Sequence, residues 1–245
     1  MHILAIDTST AWCSVALSIG NKAPLFRHEA ASAGASQFLL PWIDELLAKA
    51  NIPLTTLNAI AIGIGPGAFT GVRLGLAVVQ GLATGADLPV IPVASLDALA
   101  MQLVQTSRFK SSKARNFVIA VDARMDEIYW ARFEIMSNSM PVRVGAIHLS
   151  KPEELNLNDI DFLAGSAIKE YGARLLSSGG LKLNPLCLDD EIGITALGVL
   201  EAAKIDLSKG KQIPVAQLEP LYIRNKVALT TDERMAITSS GISLP

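Results

Sequence analysis

Ile3, Leu4 and Ile6 run without a polar break up to Asp7, and after a turn rich in Thr and Ser, Val15, Leu17 and Ile19 alternate with smaller residues. This pattern predicts a strand over 1–7 and a second over 12–19, with a third over 22–29. Leu39, Ile43, Leu46, Leu47 and Ala50 then recur at helical spacing, which predicts a helix over 37–50 with Ser36 as candidate N-cap. Pro41 blurs its start. Residues 57–64 read as a strand that runs into the glycine loop GIGPGAFTG, followed by a helix over 72–86. The spans 89–92 and 95–105 repeat the order of strand, then helix.

The polar, basic stretch 106–116 interrupts that order and marks a lobe boundary. Beyond it, 117–122 reads as a strand ending in Asp122, and 128–133 as a second strand. Aligning Asp7 with Asp122 without gaps places Ala5 on Ala120 and Ala16 on Ala131. In both halves a further strand, then a strand ending at Gly63 and Gly65 or at Gly165 and Ser166, precedes a helix. The reading is α/β, two lobes, each a mixed β-sheet with flanking helices. The first lobe is expected over 1–105, with the helix over 192–206 a candidate to complete it, and a smaller second lobe over 106–226. An extended stretch is expected over 214–224, and a flexible, polar tail over 227–245.

Composition narrows the function classes. A net charge of −2 and a pI near 5.9 argue against holding nucleic acid by a broad basic surface, so any RNA role is shared. Lys110, Lys113 and Arg115 could touch RNA, but three loop charges are more often solvation. Asp7 comes too early for a signal peptide, and no apolar run is long enough to cross a membrane, so a cytoplasmic protein is expected. Cys13 and Cys187 form no CxxC and read as structural thiols, and His2, His28 and His148 have no HxxxH spacing, so no metal is expected.

Asp7, Thr8 and Ser9 end a strand where amides and hydroxyls could receive a phosphate, yet a plain polar hairpin is the commoner origin of so short a motif. A DxDxT phosphatase needs a second Asp where Ser9 stands. Gly65, Gly67 and Thr70 belong to a glycine loop before a helix N-terminus, which suits an anion or, equally, tight packing; P-loop and dinucleotide motifs both fail. Gly71, Gly75, Gly81 and Gly85 each cost about 1 kcal/mol against Ala in a helix interior. Gly67, Gly71 and Gly75, four apart, could admit a close backbone, while Leu74, Val78 and Leu82 form an apolar face. The neighbour lies either in this chain or in another protein. Asp122, Arg124, Asp126 and Glu127 read as a solvated hairpin.

LAIDTS, SQFLLP, IGPGAFTGVRLGL, QGLA, VDARMDEIY and EPLYIRN, in that order and spacing, resemble the TsaB (YeaZ) family over about residues 1–226. Ala35 stands where that family usually carries His. The resemblance implies an actin/Hsp70-like (ASKHA) fold and a non-catalytic subunit that binds and organises TsaD, with the ATPase TsaE. Its process is transfer of a threonylcarbamoyl group to N6 of adenosine 37 in tRNAs that read ANN codons, from an adenylate made by TsaC. It implies a TsaD heterodimer, a homodimer when alone, and contact with tRNA only through the complex. The implied interface lies on the two first-lobe helices, at Leu39, Trp42, Ile43, Leu46, Leu47, Gly71, Leu74, Gly75 and Val78. No catalytic residue is implied, and Asp7, Thr8, Ser9, Gly65, Gly67 and Thr70 become at most a vestigial nucleotide loop with weak ATP or ADP binding. The alternative is an independent ATP-dependent ASKHA enzyme or glycoprotease-like hydrolase.

Overall fold

A computed structural model describes residues 1–31, 34–136, 140–177 and 185–224; the expected tail lies outside them. The chain forms two five-stranded mixed sheets. In the first, β1 (His2–Asp7) is central, antiparallel to β2 (Trp12–Ile19) and parallel to β4 (Ala59–Gly63). β3 (Leu25–Ala30) and β5 (Val90–Val93) are its edges. In the second, β6 (Asn116–Asp122) pairs antiparallel with β7 (Ile128–Ile135) and parallel with β9 (Phe162–Ala164). β8 (Pro141–Ser150) and β10 (Leu188–Asp189) flank them. The strand orders, 3-2-1-4-5 and 8-7-6-9-10, are one topology used twice, the two-lobed ASKHA-like arrangement.

β1 reads as an unbroken apolar run because both of its faces are covered. Leu4 and Ile6 face α1 (Ala35–Ala50) and α2 (Phe69–Ala86), while Ile3 and Ala5 face the middle of the molecule. There α6 (Ala196–Ser208) lies on β1, β2, β4 and β5, and crosses α3 (Ser95–Leu103), which lies on β6, β7 and β8. α5 (Ala167–Ser177) covers the outer face of the second sheet through Ile168 and Leu175. Small residues on the inner face of the first sheet, Ala5, Ala16, Ala59 and Ala61, let α6 sit close.

Several expectations change. α1 begins at Ala35 with Gly34 as N-cap and no side-chain cap, so Ser36 lies inside the helix and not at its start. α2 begins at Phe69, three residues ahead of the periodic stripe, and α6 begins at Ala196. The stretch 106–116 contains a short helix, α4 (Ser107–Ser112), capped by the Thr106 hydroxyl, and Phe109 sends its ring into the core against Phe117 and Phe162. The ungapped repeat is right in topology and one residue out in register. Asp7 pairs with Ser14 and Ala5 with Ala16, but Asp122 pairs with Ile128 and Ala131 with Ile119, because the second hairpin is a residue shorter.

The α3–α6 crossing depends on Gly198, where a Cβ would stand 2.4 Å from the Ala98 carbonyl oxygen. Gly198→Ala should therefore lower stability by about 1–3 kcal/mol in urea unfolding. Gly81→Ala, on a helix surface with nothing among the described residues within 4 Å of the new methyl, should raise it by about 1 kcal/mol. Equal effects at the two sites would refute the close crossing.

Candidate functional site

Asp7 ends β1 beside Gly63 and is 1% exposed. Its carboxylate accepts the Ser9 N–H at 3.1 Å and the Ser9 hydroxyl at 3.0 and 3.1 Å, and the Ser95 hydroxyl donates to Ser9 Oγ at 3.4 Å. Burial raises the carboxyl from its ordinary 3.8 to about 6, outweighing the two Ser9 hydrogen bonds that favour the charged form. The neighbouring Cys13 thiol is pushed up to about 11, chiefly by burial and then by the Asp7 charge. A Cβ at position 63 would come 2.0 Å from Asp7 Oδ2, so only glycine allows the carboxylate its place.

The glycine loop closes over this turn. A Cβ at Gly67 would meet the Ser9 carbonyl oxygen at 2.3 Å, and one at Gly71 the Thr8 carbonyl oxygen at 2.0 Å. At Gly75 it would stand 2.5 Å from Thr8 Oγ1. The Ala68 N–H donates to the Ser9 oxygen at 2.7 Å, and the Thr8 hydroxyl to the Gly71 oxygen at 2.7 Å. The close neighbour of the glycine face is thus the chain's own Asp-Thr-Ser turn. Of the vestigial-loop residues, Asp7, Thr8, Ser9 and Gly67 come together. Gly65, at φ +99°, lies against Leu221 and joins the cluster indirectly, its carbonyl accepting the Ser95 amide at 2.8 Å, and Thr70 is exposed.

The expected interface set divides. Leu39, Trp42, Ile43, Leu46 and Leu47 are buried in the first lobe's own core with Leu4, Ile6, Val15 and Leu17, and Gly75 is buried against Thr8. Gly71 is likewise occupied by Thr8, whereas Leu74 and Val78 are half-buried. The outward face is carried by Phe38 and Leu40 on α1 and by Ala77, Gly81 and Gly85 on α2. Helical periodicity identifies the stripe, and the core-facing sense of that stripe follows from the sheet beneath it. Leu40, a large apolar residue off the stripe and 47% exposed, is the signal that was there to be read.

The 122–127 turn is more than a solvated hairpin. Arg124, Met125 and Asp126 are successive left-handed residues, at φ 60°, 57° and 62°. Arg224 donates to the Ala123 and Arg124 carbonyls and pairs with Glu127; Arg174 pairs with Asp126 and Glu153; and the Tyr171 hydroxyl donates to Asp122 at 2.9 Å. The histidines stay apart: His28 stacks between Trp12 and Phe26, and His148 on Trp130. Among the described residues no group of three or more His, Cys, Asp or Glu could hold a metal, and no helix is long and apolar enough to cross a membrane. Lys110 donates to Gln105, and the Arg115 amide to Asp161.

A sequence model of the TsaD family, tRNA N6-adenosine threonylcarbamoyltransferase, matches residues 28–179. The tRNA threonylcarbamoyladenosine biosynthesis protein TsaB of Haemophilus influenzae is 35% identical over 93% of this chain and 95% of its own length. The chain belongs to the TsaB family. TsaB of Escherichia coli is 35% identical over 93% of this chain and 96% of its own. YeaZ from Pseudomonas aeruginosa superposes with a TM-score of 0.76 at 33% identity, over 90% of this chain and 100% of that one. A second Pseudomonas aeruginosa structure, described as similar to peptidase YEAZ, gives 0.79 at 32% identity, over 91% and 99%. The family's shared role is synthesis of threonylcarbamoyladenosine in tRNA, and these sealed and exposed surfaces are to be read within it.

Because Asp7 holds its proton more tightly folded than unfolded, it contributes stability at low pH that is lost as pH rises from about 4 through about 6. A shift of that size corresponds to about 3 kcal/mol. Asp7→Asn should flatten that part of the stability profile, read as urea midpoints at pH 5 and pH 7.5. A slope equal to the wild type's would refute the assignment.

Proposed function

We propose that the chain is a non-catalytic subunit that binds and organises a TsaD-type transferase, together with a TsaE-type ATPase. The reaction is transfer of the threonylcarbamoyl group to N6 of adenosine 37 in tRNAs reading ANN codons. The observation that carries this reading is the closed Asp7 cluster. Its carboxylate accepts from Ser9, and backbone from the glycine loop packs directly on Thr8 and Ser9, so the chain itself uses the space the glycines leave. Such a loop serves packing, and leaves at most weak affinity for ATP or ADP.

The outward faces of α1 and α2 supply the partner surface, centred on Leu40, Leu74, Ala77, Val78, Gly81 and Gly85. Glycines at 81 and 85 cost about 1 kcal/mol each, and among the described residues nothing lies within 4 Å to use the space they leave. A partner helix can use it by close approach. The same surface takes a second copy when the transferase is absent, and tRNA is met through the complex.

Val78→Glu should weaken binding to the same organism's TsaD-family transferase at least about tenfold in titration calorimetry, by burying an unpaired charge. It should also reduce the homodimer in light scattering, with the wild type's circular dichroism spectrum retained. Wild-type affinity in this variant would reject the face. Modified adenosine formed by the chain without the transferase would reject the non-catalytic role.

A further inference from the structure

Phe69, Arg73 and Tyr222 come from two distant parts of the chain and meet on the surface, and the chain just beyond Tyr222 links them to Met125. The Arg73 guanidinium lies 3.8 Å over the Phe69 ring and its Nε donates to the Tyr222 hydroxyl at 2.8 Å. The Phe69 and Tyr222 rings stack at 5.9 Å. Two residues along, Arg224 reaches Met125 Sδ at 3.4 Å. Phe69 is 51% exposed, Tyr222 50% and Met125 68%.

Met125 sits at the middle of the left-handed turn. Left-handed backbone costs a residue other than glycine about 1–2 kcal/mol, and three in succession here keep their side chains instead of yielding to glycine. Arg174, Tyr171 and Arg224 brace the turn, so Met125 is presented by a rigid support, which lowers the ordering cost of a contact.

Charge decides the class of partner. Arg124, Arg174 and Arg224 are paired with Asp122, Asp126 and Glu127, so the turn offers no net positive field to a phosphate backbone. Phe, Tyr, Met and Arg are the residues that dominate protein contacts. Among the described residues Arg73 meets two rings and a hydroxyl and no carboxylate, which leaves its terminal nitrogens for an acid from outside. Arg73 also lies one helical turn before the exposed Ala77, so the patch continues the outward face of α2 towards the second lobe.

We propose that Phe69, Arg73, Met125 and Tyr222 form a second anchor for the transferase, receiving a segment that carries a carboxylate beside an apolar side chain. This rests on the reading that the chain binds a transferase. The full-length chain, Arg73→Glu and Met125→Gly are titrated against the purified transferase of the same organism, and against an unmodified tRNA transcript, with thermal unfolding as the folding control. Arg73→Glu should weaken transferase binding about 30-fold. Met125→Gly, which relaxes the turn, should weaken it about fivefold or more with no loss of thermal stability. Wild-type affinity in both variants overturns the anchor and leaves the α2 face standing, whereas no binding by the wild type overturns both. Loss of tRNA binding with transferase binding intact marks a nucleic-acid site and also overturns it. Should Arg73→Glu fail to fold, Arg73→Gln and Met125→Gly decide.

Discussion

Both inner helices start at the Asp7 cluster, and the rest of the molecule is arranged around that meeting. Ser95, the first residue of α3, donates its hydroxyl to Ser9, while the amide of Ala196, the first residue of α6, donates to Ser14, the cross-strand partner of Asp7. Each inner helix crosses over in the chain: α3 follows strands of the first sheet and lies on the second, and α6 follows the second sheet and lies on the first. The lobes are interlocked by that exchange, and one continuous apolar cluster runs from Ile3 through α3 and α6 to Phe117 and Phe162.

Glycines control which backbones approach that meeting point. Gly63 makes room for a carboxylate, Gly67 and Gly71 for two carbonyl oxygens, and Gly198 for the crossing of the inner helices. Gly81 and Gly85 have no such neighbour among the described residues. Glycines of one helix therefore divide by the direction they face. The inner ones are explained by the chain itself, and the outer ones open onto the surface.

The strands at the centre of each sheet were legible because burial on both faces leaves a run of apolar residues, as in β1 and β6. β8 left little trace, since Ile147 is its only fully covered residue and its other positions are exposed or half-covered. Helix periodicity located α1 and α2 but could not say that Leu39, Ile43 and Leu46 turn inward, because an apolar stripe looks the same whether it meets a sheet or a partner. The left-handed turn was hidden for a different reason. Its residues are Arg, Met and Asp, with no glycine to mark the positive φ, and the contacts that hold it come from Arg174 and Arg224, about 50 and 100 residues away in sequence.

The one-residue difference between the two β-hairpins has a consequence for how the duplicated halves share their work. In the first half the strand-end aspartate is drawn under a glycine and locked inside, so that hairpin acts as an internal keystone. In the second, Gly165 abuts the Ala120 carbonyl oxygen instead of a side chain, and Asp122 is held by Tyr171 and Arg124. The same hairpin topology thus holds one lobe together and, in the other, carries a turn braced by Arg174 and Arg224.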